Sequence, residues 1–194
     1  MIGDRLGDAM ILTILLALVL GPATGAATPA NPSDWEHFPS HHVRAERQEA
    51  RRLVAAAAAS SATVWRLMGD LDRTDVVVYV ECSPPIGERR HGRLSLLSAA
   101  GGHRYLSIWV NQQRSVAERI ALFGHELQHA LEMAQAPSAV SPQTMAAHFA
   151  TIGRPAHRSG AFETEAARAV GQQVRRELAE HQPQPGFEAA PKMN

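Results

Sequence analysis

The sequence predicts an α+β domain, and three observations carry that reading. Arg, Glu and Ala dominate residues 41–68, strand-like runs crowd residues 75–111, and helical patterns fill most of residues 115–181. The order is helix, three strands, helix, helix, with a small antiparallel or mixed sheet. The 194 residues, 45% of them apolar, suit one compact domain with short extensions. Only 5% are aromatic, so the core has to be built mainly from Ala, Val, Leu and Ile.

Taken in order, residues 9–20, AMILTILLALVL, are apolar except for Thr13. That length is short for a bilayer span and fits the apolar part of a secretory signal, with cleavage expected after Ala26 or Ala27. Because Asp4 and Asp8 outweigh Arg5, an uncleaved membrane anchor at residues 9–20 is the alternative. Export, periplasmic or secreted, is the expected localisation, and residues 1–27 are set apart from the fold. Pro, Asn and Ser mark residues 28–40 as a linker. The folded domain is expected over 41–181, and 182–194 as a disordered tail.

Within the domain, a long helix is expected from about His41 to Met68, with a break near Ser60 and Ser61. Asp75–Cys82, DVVVYVEC, is β-branched and reads as a buried strand, closed by Pro84, Pro85 and Gly87. RLSLLS (93–98) and YLSIWVN (105–111) flank AAGGH, the pattern of two antiparallel strands with a Gly-rich turn. Ser115 and Glu118 have capping-box spacing and open a helix to about Ala134, ended by Pro137 and Pro142. A weaker helical stretch at 144–153 leads through RPAHRSG into a last helix over 162–181.

Charge and cysteine content narrow the function. Nineteen basic and nineteen acidic residues cancel, so neither nucleic acid nor an anionic membrane surface is expected as a partner. Cys82 is the only cysteine, which excludes a disulfide within the chain and a zinc site of several thiolates. At the end of an apolar run it reads as a buried structural thiol. Any metal has to be held by His and carboxylate groups.

His125-Glu-Leu-Gln-His129 supplies such groups. Two histidines four residues apart on a helix project from one face and can reach a single ion, while the intervening Glu126 lies to the side. Val116, Ile120, Phe123, Leu127, Leu131 and Ala134 form one stripe of this helix, with His125 and His129 opposite it beside Glu118 and Glu132. A third ligand is expected from the last helix. There Glu163 shares the stripe of Ala166, Ala167, Val170, Val174 and Leu178, whereas Glu165 sits among solvated Arg and Gln residues. A carboxylate beside a buried stripe requires a partner, which favours Glu163 as the metal ligand. A salt bridge to Arg158 or a capping role would also satisfy it, and Glu165 and Glu132 are the other carboxylates within reach of the ligand position.

GHELQHALE followed by FETEAARA resembles the zincin metallopeptidases, in particular the gluzincin branch, where a glutamate on a later helix completes an HExxH site. The resemblance covers mainly residues 105–180 and is specific only at the motif, with Glu163-Thr-Glu-Ala166 in the E-x-x-A setting of that branch. Metzincins fit poorly, since Glu132 and Gln135 stand where their Gly and third His belong. The resemblance implies a zincin-like fold and a zinc-dependent peptidase, with Zn2+ held by His125, His129 and Glu163. It also implies a metal-activated water with Glu126 as general base, acting on a peptide or protein substrate. YLSIWVN (105–111) is expected as the edge strand on which a peptide pairs, with Trp109 or Tyr105 lining a subsite. His157, ahead of His148 and Tyr105, is the expected oxyanion-stabilising residue, and Glu132 is placed to orient a ligand. A non-catalytic metal-binding module, or a zinc hydrolase of a non-peptide amide or ester, shares the same ligand set.

Overall fold

A computed structural model describes residues 40–85, 91–156 and 162–181. The expected signal or anchor, residues 28–39 of the linker, the tail and His157 lie outside these residues. In chain order the elements are β1 (Val43–Arg44), α1 (Gln48–Ser60), α2 (Ala62–Leu71), β2 (Val76–Ser83), β3 (Gly92–Ala100) and β4 (His103–Asn111). There follow α3 (Val116–Ala134), α4 (Pro142–Ile152), β5 (Arg154–Pro155), β6 (Phe162–Glu163) and α5 (Glu165–Glu180). The class is α+β.

The main sheet has four strands rather than three, in the order β1-β2-β4-β3. β1 and β4 both run parallel to β2, and β3 pairs antiparallel with β4. The 93–111 hairpin forms as expected. Its turn needs Gly101 and Gly102, whose φ values of 59° and 79° are left-handed conformations that disfavour a Cβ. The sheet departs from expectation in two places. Residues 43–44 add a short strand where helix was expected, so the N-terminal helix begins at Gln48. Residues 105–111 are interior and the edges are β1 and β3, because β4 is inserted between β2 and β3.

Alternation along the strands fixes which face is buried. Val76, Val78, Val80 and Cys82 of β2 and Leu106, Ile108 and Val110 of β4 enter the core, joined by Leu94 and Leu96 of β3. Tyr79, Tyr105 and Trp109 occupy the opposite face. The expected break at Ser60 and Ser61 is the boundary between α1 and α2, where the Ser61 side chain caps α2 by accepting from the Val64 amide. Both helices give buried residues to the one core, among them Ala50, Leu53, Ala57, Val64, Leu67, Met68 and Leu71. Residues 48–71 are therefore part of the domain body.

α3 is the central helix. Its capping box closes as read: the Ser115 hydroxyl accepts from the Glu118 amide, and the Glu118 carboxylate accepts from the Ser115 amide. The face opposite the expected core stripe is itself largely buried, with Glu126, His129 and Glu132 only 5–6% exposed, while Val116 on that stripe is 55% exposed. β3 closes over Glu126, Phe149 of α4 over His129 and Thr164 over Glu132, and α5 crosses α3 closely. A Cβ on Gly124 would fall 2.9 Å from Val174 Cγ2 and 3.3 Å from Val64 Cγ2. Ala167 of α5 is fully buried, consistent with small residues permitting a close approach.

Candidate metal centre

His125 and His129 lie one turn apart on α3, and their rings meet edge to face with centroids 4.8 Å apart. Glu163 reaches them from outside any helix, which corrects the expectation that it sits on the last one. α5 begins at Glu165, and Glu163 occupies β6, where it pairs with Arg154 of β5. Gly153 makes room for this pairing, since a Cβ there would lie 3.0 Å from the Glu163 carbonyl oxygen. Glu165 is 87% exposed in its side chain and pairs with Arg168. Glu163 therefore reaches the histidines as expected, but from a strand rather than from the apolar stripe of a helix.

Among the described residues, His125, His129 and Glu163 form a group whose ligand atoms all lie within 4.8 Å of one another. His125 Nε2 is 3.6 Å from Glu163 Oε1, too far for a hydrogen bond. Burial, with the neighbouring His129 charge adding to it, pulls the His125 pKa down to about 4, so at neutral pH the imidazole carries no charge to pair with the carboxylate. Among the described residues, which do not include Arg158, Glu163 Oε1 is consequently a buried acceptor without a hydrogen-bond partner. Two neutral-capable imidazoles facing a partnerless carboxylate oxygen match the donor set of a divalent cation such as zinc, whose tetrahedral ligand atoms stand about 3.3 Å apart.

Glu126 adjoins this group from the same helix. Full burial pushes its pKa up to about 7, with His129 acting against the rise and Glu163 adding to it. It packs against β3, an edge of the sheet among the described residues, accepting a hydrogen bond from the Leu94 backbone. A Cβ on Gly92 would sit 2.7 Å from Glu126 Oε1, so β3 can pass the carboxylate only because residue 92 is glycine.

Each histidine is held by its other nitrogen or by the backbone around it. His125 bonds the backbone of Ala167 in α5. His129 Nδ1 bonds Glu132 Oε2 at 2.7 Å, and Phe149 of α4 stands edge-on to the same ring. Burial acts to lower the His129 pKa, but the Glu132 hydrogen bond and the charges of Glu126 and Glu163 outweigh it and raise the net value.

The expected helper residues fare differently. His148 donates from Nε2 to the Glu132 carbonyl at 3.2 Å, a bond that ties α4 to α3. Tyr105 and Trp109 face away from α3, Tyr105 stacking near Tyr79 and Trp109 donating to Ser83, so neither lines a subsite at the histidines. Sequence reasoning missed Gly92, Gly124 and Thr164. For Thr164 a signal existed, since a threonine immediately before a helical run is an N-cap and marks the helix start after Glu163. No protein-family model, curated protein or solved structure matches the chain, so the functional reading rests on the chemistry of this site.

Proposed function

We propose that the protein is an exported zinc-dependent peptidase with a zincin-like, gluzincin-type site. His125, His129 and Glu163 would hold the ion, and Glu126 would act as general base. The observation that carries this reading is the buried Glu163 Oε1, unpartnered among the described residues and set against two imidazoles, with the Glu126 carboxylate alongside. A bound zinc supplies Lewis acidity, which makes water a nucleophile near neutral pH and polarises a substrate carbonyl.

The chain's own residues do the rest. Glu126, with a pKa near neutrality, is suited to accept a proton from the attacking water and to return it to the leaving amine. The Leu94 backbone and the bare Gly92 Cα hold that carboxylate at the rim of the sheet. An extended peptide would pair along the free edge of β3, which brings its backbone beside Glu126. Burial of Glu126 and His129 keeps bulk water from competing for the transferred proton.

The test is hydrolysis of a mixed peptide library by zinc-loaded protein, compared with Glu126→Gln. Cleavage that falls by at least 1,000-fold (roughly, for loss of a general base near the upper end of its range) while the variant keeps its zinc supports the assignment. Undiminished cleavage by Glu126→Gln would remove Glu126 from the role. Zinc binding without cleavage of peptides, amides or esters would favour a non-catalytic module, and cleavage confined to non-peptide amides or esters would change the substrate class.

A further inference from the structure

Glu132 is a buried carboxylate that the mechanism does not use, and both of its oxygens are engaged. Oε2 bonds His129 Nδ1 at 2.7 Å, and Oε1 accepts from the Thr164 hydroxyl at 2.7 Å. Thr164 directly follows Glu163 and is the N-cap of α5, its hydroxyl also accepting from the Ala167 amide at 3.1 Å. Ala167 is in turn the residue whose backbone bonds His125. One carboxylate thus connects the helix that carries both histidines to the segment that carries the glutamate.

We propose that Glu132 and Thr164 form a positioning pair that presets the metal centre, Glu132 fixing the tautomer of His129 and Thr164 fixing the place of Glu163. The proposal rests on the metal-centre reading above and adds residues that touch neither ion nor substrate. A carboxylate that accepts from Nδ1–H leaves the Nε2 lone pair of His129 free toward the cluster. Through Thr164 the same carboxylate anchors the start of α5. Because Glu163 is the residue immediately before Thr164, its backbone can shift little without breaking the bond to Glu132. Leaving a glutamate in the core is otherwise expensive, and it is tolerated here because both oxygens are satisfied.

The experiment uses the full chain and two readouts. Long-range proton–nitrogen correlation spectra of the metal-free protein, recorded above the ionisation of the imidazole, report the His129 tautomer. Chelator competition reports zinc affinity. The wild type is expected to carry its proton on Nδ1 of His129. Glu132→Leu is expected to lose that preference and to bind zinc 10- to 100-fold more weakly (roughly, the range for loss of an outer carboxylate partner). Thr164→Val should weaken zinc binding as well, and Thr164→Ser, which keeps the hydroxyl, should restore it.

A proton on Nε2 in the wild type would overturn the proposal without any variant, which matters if Glu132→Leu does not fold. Unchanged zinc affinity in both Glu132→Leu and Thr164→Val would overturn it equally. If the wild type takes up no zinc, the metal reading fails, and the tautomer still decides whether Glu132 orients His129.

Discussion

Glu126 and Gly92 show how much of the proposed chemistry depends on single atoms. A methyl group added at residue 92 would collide with Glu126 Oε1, and the colliding atom belongs to a buried side chain with little room to withdraw. Gly92→Ala should therefore displace the carboxylate by a fraction of an ångström and lower turnover on the order of 100-fold, as small misplacements of a reacting group do. Zinc content should be unchanged, because residue 92 touches no ligand, and kinetics beside metal analysis check both halves. Cys82 gives the opposite kind of prediction. Burial pushes its thiol up to about 11, so the native protein should resist alkylation at neutral pH and react only once unfolded. The HExxH residues and the buried thiol were legible in the sequence because each depends on local spacing. Gly92 was not, since its role exists only where β3 passes α3.

The elements are locked together by polar groups at their ends. Arg104, 2% exposed, makes a two-pronged bond to Asp75 at 2.7 Å and also donates to the carbonyls of Met133, Ala134 and Ala136, at the end of α3. A guanidinium there satisfies carbonyls that have no partner within the helix and complements the helix dipole. Its hydrogen bond and charge hold the Asp75 carboxyl below its usual range. A pKa depressed in the folded state adds stability above the unfolded value of 3.8, and that stability is lost as pH falls through the folded value. Asp75→Asn should thus destabilise the protein at neutral pH and flatten the acid limb of its pH–stability curve, measured by denaturant unfolding. At the α3–α5 crossing, Gly124→Val should cost about 1–3 kcal/mol by overpacking against Val174 and Val64.

Among the elements, legibility in the sequence divides by the distance over which each signal acts. Capping of α3 and the glycine hairpin were visible because their signals are contiguous. The interior place of β4 and the strand β1 are set by partners distant in sequence, whereas the start of α5 has a local signal in the Thr164 cap, which a helical wheel through 162–181 overrides by placing Glu163 on a helix that it in fact precedes.

For the whole molecule, the architecture puts two of the three candidate ligands, His125 and His129, on the central helix and brings the third, Glu163, from the β5–β6 pair that follows α4. α1 and α2 pack into the same core as the sheet, so deletion of residues 48–71 should unfold the protein rather than release activity, as circular dichroism would show. Among the described residues no helix is long and apolar enough to cross a membrane. The most direct test of the central claim is the zinc content of the folded full chain beside Glu163→Ala. One zinc per wild-type chain, with affinity in the variant reduced by more than the roughly 10–100-fold of an outer partner, is the predicted result. A folded wild type that takes up no zinc, or a Glu163→Ala variant that binds it as tightly, would contradict the three-ligand centre.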